Sequence, residues 1–264
     1  MEERAMAHLA AAVSTITQRL IGLLDELLPG QLEAFYLVGS VAQGDYQAGQ
    51  SDIDFVAVMS PPIELAALAT AHTTLHQEFP GTDCDGIYLL PGELSRPPGG
   101  QGIAVRAGKV NPNSAEERSP VVWQVLAEDG IALRGRVADD SWVAVDRAAT
   151  VDYSRANLQG YWRSWLEARR HLTSAEGETL LIDEAVVWGA LGVARVHATI
   201  VNARVPSKTA AAAHALVVFP EYAEIISEAL RLRTDPLGAS AYQSPLARRH
   251  ELIGFMDAVI RSDA

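Results

Sequence analysis

The 264-residue sequence has one cysteine, no long apolar run and few basic residues. Cys84 has no second cysteine with which to form a disulfide in the chain, and one cysteine does not build a zinc site. No uninterrupted apolar stretch of about 18 residues is present, so we expect no membrane span. The first residues, Met1-Glu2-Glu3-Arg4, do not resemble the basic start and apolar run of a signal peptide. Together these features favour a reducing, cytoplasmic setting.

Positive charge is also scarce. The chain has 21 Lys and Arg residues against 33 Asp and Glu residues, and its formal net charge is -12. Proteins that bind nucleic acids gain most of their affinity by neutralising phosphates with basic residues, so this balance argues against DNA or RNA as a partner. The surplus acidity is compatible with a cationic substrate, although it also serves solubility.

The hydrophobic patterning divides the chain into an α/β half and an all-helical half. In the first half, apolar runs of strand length alternate with stretches of helical periodicity. The predicted helices there are 6–28, 63–78 and 121–128, and the predicted strands are 35–38, 53–59, 85–90 and 131–133. After about residue 150 only helices are predicted, at 154–172, 179–203, 207–218, 220–233 and 245–261. We therefore predict an α+β protein with domains at 1–150 and 151–264, a mixed sheet with helices followed by a helical bundle.

Residues 91–120 differ from the rest of the first half. Gly, Pro, Ser and Asn dominate there, and the stretch contains Pro97-Pro98-Gly99-Gly100. This composition predicts a long loop or an inserted flap, with a short strand near 103–106.

The most informative segment runs from Leu37 to Phe55. A predicted strand ends at Gly39 and Ser40, and Gly44 allows another tight turn. Gly39 lacks a Cβ, so a phosphate can approach the backbone. Ser40 offers a hydroxyl and an N–H at the start of the following helical turn, where anions bind.

Two carboxylates follow this turn. Asp52 and Asp54 are two residues apart in a predicted strand, so their side chains lie on one face, while Ile53 and Phe55 point into the core. Neighbouring carboxylates repel unless a cation lies between them, and Mg²⁺ takes oxygen ligands from carboxylates, phosphates and water. The segment therefore predicts a metal–triphosphate site.

Nucleotidyl transfer needs one further group near the metal. A carboxylate there can accept the proton of the attacking hydroxyl or hold a second metal. Asp85, at the start of the next strand, is our first choice for this third metal ligand and catalytic group. Asp83 has the same parity and is the alternative. At ~3.3 Å per residue it lies about 7 Å upstream, so only one of the two is expected to reach the centre.

The segments Leu37-Val38-Gly39-Ser40 and Ser51-Asp52-Ile53-Asp54 resemble the nucleotidyltransferase superfamily related to DNA polymerase β. The second half of the sequence resembles a more specific family within this superfamily. Trp188 to Arg195, followed by Ser207-Lys208, resembles the helical domain of the aminoglycoside 3″ (9)-adenylyltransferases, which inactivate streptomycin and spectinomycin. The resemblance spans nearly the whole chain and is weakest over 91–120.

The resemblance implies roles for individual residues. Ser40 would contact the triphosphate of ATP, and Asp52 and Asp54 would bind Mg²⁺. Asp85 falls where the family has a glutamate proposed as catalytic base. Arg195 and Lys208 would reach the phosphates from the helical domain, where their charge suits the transfer.

The acceptor is less closely specified by the sequence. The family's tryptophan and acidic residues that select streptomycin lie before the arginine helix. Here that stretch contains Glu176-Gly177-Glu178 and Asp183-Glu184 but no tryptophan between 166 and 187, and Asp183 and Glu184 could bind a substrate ammonium group. Trp162 is a further candidate for lining the substrate cleft, although aromatic residues at helical spacing more often belong to a core.

We therefore predict a monomeric, cytoplasmic enzyme of antibiotic resistance that transfers AMP from ATP to an aminoglycoside hydroxyl with Mg²⁺. Two alternatives remain open at this stage. One is transfer to another small molecule or to a protein side chain, as in toxin–antitoxin nucleotidyltransferases. The other is a nucleotide-binding module without activity, which would have no need for three clustered carboxylates.

Overall fold

Residues 10–115 and 117–262 are described by the computed structural model, and the chain divides into two units between Asp146 and Arg147. The sequence placed this division between residues 150 and 151. The start of the predicted helix at 6–28 and the residues Met1-Glu2-Glu3-Arg4 lie outside the described part of the chain.

The N-terminal unit is built on a mixed sheet of six strands in the order β5-β4-β3-β2-β1-β6. Its strands are β1 (Leu32–Leu37), β2 (Ile53–Met59), β3 (Cys84–Leu89), β4 (Gly102–Arg106), β5 (Lys109–Ser114) and β6 (Ile131–Arg134). Its helices are α1 (Ala11–Leu27), α2 (Gly39–Ala42), α3 (Leu65–Glu78) and α4 (Pro120–Asp129). Strands β2 and β3 are parallel, and every other neighbouring pair is antiparallel.

Helices α1 and α3 contribute buried side chains to one apolar core with the central strands. Phe35 of β1 stacks on Phe55 of β2 with ring centroids 5.0 Å apart, and both side chains are almost fully buried. Burial of aromatic side chains of this size contributes strongly to the hydrophobic stabilisation of a unit. This packing helps to hold the central strands in one register. The residues immediately before and after these strands are positioned as a consequence.

The predicted loop at 91–120 is wrong in part, because it contains the hairpin of β4 and β5. The part of this segment that precedes β4 has no regular structure but makes specific side-chain contacts. The guanidinium of Arg118 pairs with Glu93, and its Nε donates to the carbonyl of Gly99 at 3.0 Å. The indole N–H of Trp123 donates to the carbonyl of Arg96 at 3.1 Å.

Every regular element in the described residues of the C-terminal unit is a helix, as predicted. Its helices are α5 (Arg147–Asn157), α6 (Arg163–Arg169), α7 (Ala175–Glu178), α8 (Asp183–Asn202), α9 (Lys208–Val218), α10 (Ala223–Thr234) and α11 (Pro245–Arg261). The predicted helix at 154–172 is interrupted by a π-helical segment, Leu158–Trp162, and the one at 179–203 begins as a 3₁₀ turn, Thr179–Leu181.

Helix α8 is the centre of this unit and packs against α5, α9, α10 and α11. By length and composition it is apolar enough to cross a membrane, but 61% of its most apolar window is buried inside the protein. That burial is the pattern of a core helix. The predicted α+β fold, with a mixed sheet followed by a helical bundle, is confirmed.

Candidate active site

The turn after β1 is shaped around a carboxylate. Gly39 begins the short helix α2 with a φ of +59, a left-handed conformation that L side chains rarely adopt. A Cβ at this position would lie 2.1 Å from Oδ2 of Asp54, closer than any non-bonded contact. The sequence predicted that Gly39 makes room for a phosphate, and the structure shows that it makes room for the side chain of Asp54. Ser40 follows in the same turn, half-buried, and its carbonyl accepts the N–H of Asp45 at 2.8 Å.

Strand pairing brings two of the predicted carboxylates together. Asp54 of β2 and Asp85 of β3 are register partners in the parallel pair. Register partners project from the same face of a sheet, and neighbouring strands are about 4.8 Å apart. Asp52 lies one residue before β2, is exposed, and contributes to the electrostatic environment of Asp85.

Asp85 is the most buried of the three carboxylates. Its Oδ1 accepts the backbone N–H of Ala107, from the turn between β4 and β5, at 2.8 Å. Burial raises the pKa of Asp85 to about 6, and the negative charges of Asp52 and Asp83 act in the same direction, whereas the Ala107 N–H and Arg106 oppose the rise. A carboxylate with a pKa in this range is suited to accept a proton near neutral pH.

The alternative residue, Asp83, is engaged elsewhere. Its Oδ1 lies 3.4 Å from Nδ1 of His76 on α3, and its backbone carbonyl accepts the N–H of Ile53. Asp83 precedes β3, whereas Asp85 is inside the strand and beside Asp54. The geometry therefore favours Asp85 over Asp83 as the partner of Asp54.

The three carboxylates do not form a ready-made metal cluster. Across 10–115 and 117–262, no three His, Cys, Asp or Glu side chains are grouped so that they could hold a metal ion. The assignment of Asp52, Asp54 and Asp85 as a set of three metal ligands stays a prediction. Asp52 lies just outside the strand, and Asp85 turns one oxygen to Ala107. The donors are all carboxylate oxygens, however, and Mg²⁺ is commonly held by one or two carboxylates together with substrate phosphates and water. Asp54 with one neighbour fits such a site.

The predicted phosphate-binding residues lie in the C-terminal unit, and each contacts other residues of that unit. Nε of Arg195, on α8, donates to the carbonyl of Pro206 at 2.8 Å. Lys208 begins α9, and its Nζ lies 5.7 Å from the ring centroid of Trp188. Both side chains are half-buried.

The two predicted acidic contacts for a substrate have different environments. Oδ1 of Asp183 lies 2.7 Å from Nη1 of the buried Arg248, so its charge is already balanced. Glu184 is exposed in the first turn of α8. Asp183 is thus engaged in an ion pair, and the substrate contacts of Asp183 and Glu184 stay predictions.

Trp162 needs a correction. Its side chain is 4% exposed and packs where a Cβ on Gly192 would lie 2.3 Å from the ring, so it is a core residue of the helical unit. The exposed aromatic rings beside it are Tyr161 and Trp188, whose indole N–H donates to the Tyr161 hydroxyl at 3.2 Å. Sequence reasoning missed Trp188 as a candidate side chain, although its position seven residues before Arg195 puts both on one face of α8.

Comparison with known proteins agrees with this geometry. Residues 18–86 match the family model of the nucleotidyltransferase domain, and this stretch includes Gly39, Ser40, Asp52, Asp54 and Asp85. No curated protein matches the sequence.

Two of the solved structures that match this chain differ in the extent of the match. One is the spectinomycin adenyltransferase AAD(9) from Enterococcus faecialis, solved with ATP and spectinomycin. It has a TM-score of 0.63 and 13% sequence identity, and the match covers 92% of this chain and 98% of that chain. The other is a mutant of the toxin-antitoxin MntA-HpeT, with a TM-score of 0.31 and 20% identity, over 56% of this chain and 95% of that chain. The first similarity confirms the predicted nucleotidyltransferase fold, followed by helices, along nearly the whole chain.

Proposed function

We propose that this protein transfers AMP from ATP to a hydroxyl of an aminoglycoside of the streptomycin or spectinomycin type, in a Mg²⁺-dependent reaction that gives antibiotic resistance. The observation that carries the proposal is the pairing of Asp54 with Asp85 on parallel strands, with the Asp54 carboxylate packed against Gly39. The match of this segment to a nucleotidyltransferase domain supports the same reaction type.

The chain's own residues have distinct tasks in this reaction. Asp54, with Asp52, would hold the cation, and Ser40 contacts the triphosphate from the turn. A bound Mg²⁺ would supply electrostatic stabilisation of the charge on the phosphate oxygens. Arg195 and Lys208 contribute further positive charge to triphosphate binding.

Asp85 accepts the proton of the acceptor hydroxyl. The hydroxyl oxygen then forms a bond to the α-phosphorus while the bond from that phosphorus to the bridging oxygen of the pyrophosphate breaks. The products are the AMP ester of the acceptor and pyrophosphate. The position of Asp85 beside Asp54 suits this role, because a general base must lie within hydrogen-bond reach of the proton that it accepts.

A cationic aminoglycoside is the acceptor that the charge pattern favours. The chain carries a net charge of -12, and Glu184 presents an exposed carboxylate at the start of α8. The structurally similar AAD(9) was solved with spectinomycin, which makes that compound the first to test.

The experiment is pyrophosphate release from ATP and Mg²⁺, measured with spectinomycin, streptomycin and a panel of other aminoglycosides. We expect turnover with at least one member, and a loss of about 10³-fold or more in Asp54→Ala, because a bound metal supplies several kcal/mol of charge stabilisation. Asp140→Ala is the matched control, since it removes one exposed carboxylate from the same unit.

Two results would contradict the proposal. Turnover with no aminoglycoside, together with no protection of growing cells, would exclude the acceptor class and direct the search to other small molecules or protein side chains. Full activity in Asp54→Ala would exclude the metal assignment.

A further inference from the structure

The turn between β4 and β5 holds one oxygen of Asp85 from outside the central strands. Arg106 and Lys109 are paired across the hairpin, so Ala107 and Gly108 form a two-residue connection. The N–H of Ala107 donates to Oδ1 of Asp85 at 2.8 Å. One oxygen of the carboxylate is thereby directed towards the hairpin, and the other is left for a different partner.

The turn has an unusual backbone for its sequence. Ala107 has a φ of +48 and Gly108 a φ of +70, so both residues are left-handed, as in the type I′ turns that connect tight hairpins. Asn, Asp or Gly usually occupies the first of these positions, because other L residues rarely adopt positive φ. An alanine is maintained in this conformation only when surrounding contacts determine it.

Those contacts come from helix α3. A Cβ on Gly108 would lie 3.0 Å from Cβ of His76 and 3.6 Å from the carbonyl oxygen of His72, so the tip of the hairpin rests directly on the helix. Val105 is buried in the N-terminal core, and Ile103 and Val110 pack against it. The hairpin is thus anchored both at its base and at its tip.

We propose that the Ala107-Gly108 turn is a positioning element for catalysis: its Ala107 N–H fixes one carboxylate oxygen of Asp85, so that the other is aimed at the proton of the acceptor hydroxyl. This role rests on the proposed transfer reaction. It predicts that moving the turn by a few tenths of an ångström slows the chemical step and leaves ATP binding unchanged.

The decisive variant is Gly108→Ala, which adds a methyl group against His76 without removing any hydrogen-bond donor. Gly30→Ala is the matched control, because Gly30 has a similar left-handed φ of +75 and a Cβ there would meet nothing within 4 Å. We expect kcat to fall about 10-fold in Gly108→Ala, since small misplacements of a catalytic group are costly, with KM for ATP unchanged. Gly30→Ala, which introduces the backbone strain without the contact to His76, should retain wild-type kinetics.

A second readout does not depend on activity. Amide hydrogen exchange of Ala107, followed by NMR, should be slow in the wild type and in Asp85→Asn, whose side-chain oxygen can still accept the bond. It should be faster in Asp85→Ala and in Gly108→Ala. Unprotected exchange of Ala107 in the wild type would overturn the proposal.

If Gly108→Ala does not fold, Asp85→Glu provides a second test of the proposal. The added methylene moves the carboxylate relative to the fixed Ala107 N–H, so turnover should be low although the charge remains. Wild-type turnover in Asp85→Glu or in Gly108→Ala would overturn the positioning role alone. A wild-type protein without turnover on any acceptor would instead overturn the proposed function, and this role with it.

Discussion

At the scale of single residues, two glycines with the same backbone conformation have different tasks. Gly39 and Gly44 both have positive φ, +59 and +66. A Cβ on Gly44 would meet nothing within 4 Å, whereas a Cβ on Gly39 would collide with the carboxylate of Asp54. Only Gly39 therefore couples the turn to the chemistry of the site.

We predict that Gly39→Ala abolishes detectable transfer and destabilises the N-terminal unit. Gly44→Ala should lower the free energy of unfolding by about 1–2 kcal/mol, because alanine is unfavourable in the left-handed conformation. The variant should keep its transfer activity. Comparing pyrophosphate release and urea unfolding in the two variants separates the collision from the backbone strain. Equal activity of both variants would show that Asp54 can move away from the turn without loss.

Residue-level sequence reasoning succeeded where the strand pattern decides which way a side chain points. Asp54 and Asp85 were predicted to be neighbours, and they are register partners. Trp162 was misjudged because a sequence does not show which side of a helix is covered by others, and here Gly192 opens space for its ring. The contact from Ala107 to Asp85 was not predictable, since it depends on a backbone N–H in a turn that any residue can supply.

At the scale of elements, helix α3 is attached to the sheet by a buried polar pair. Nε2 of His72 lies 2.7 Å from the hydroxyl of Tyr88 on β3, and the His72 ring stacks on Phe55. Burial lowers the pKa of His72 to about 4. The folded protein thus keeps this histidine neutral at a pH where an unfolded chain protonates it.

The stability of the N-terminal unit should therefore fall in mild acid. Because the pKa of His72 is lower in the folded state, the unfolded state binds more protons between pH 6.5 and about 4, and stability decreases as the pH falls through this range. The contribution of His72 between pH 7 and pH 5 is about 2 kcal/mol. Urea titrations at the two pH values measure it.

The matched variant is the double substitution His72→Phe with Tyr88→Phe, which removes both polar partners and leaves neither unsatisfied. Its loss of stability between pH 7 and pH 5 should be smaller than that of the wild type by about the same 2 kcal/mol. An unchanged pH dependence would mean that His72 is accessible to protons in the folded state.

The element that sequence reasoning missed has a physical explanation. Strand β5 contains Asn111-Pro112-Asn113, residues that are depleted in strands, and proline cannot donate to a ladder. The strand lies at the edge of the sheet, where such residues are tolerated. The connecting Ala107-Gly108 lacks the Asn-Gly signature of a tight hairpin. Strand β2, by contrast, is a continuous apolar run after Asp54, and its predicted bounds agree with the structure.

At the scale of the whole molecule, each unit has its own hydrophobic core. One core joins α1, α3 and the sheet, and the other is centred on α8. The change in composition near residue 150 was enough to indicate this division, because strand-like runs stop where the helical unit begins. The family resemblance implies that Arg195 and Lys208 of the helical unit act with the N-terminal unit on the triphosphate, and this cooperation can be tested on the complete chain.

Lys208 tests such cooperation, since it belongs to the helical unit while the nucleotidyltransferase match is confined to residues 18–86. We predict that Lys208→Ala raises KM for ATP about 10- to 100-fold, because one charge-assisted hydrogen bond contributes about 1.5–3 kcal/mol. Arg163→Ala is the control, as it removes an exposed cation from the same unit. Steady-state kinetics with varied ATP measure both variants. If Lys208→Ala and Arg163→Ala have the same KM as the wild type, the triphosphate is bound without the lysine, and the helical unit must contribute to the reaction through other residues.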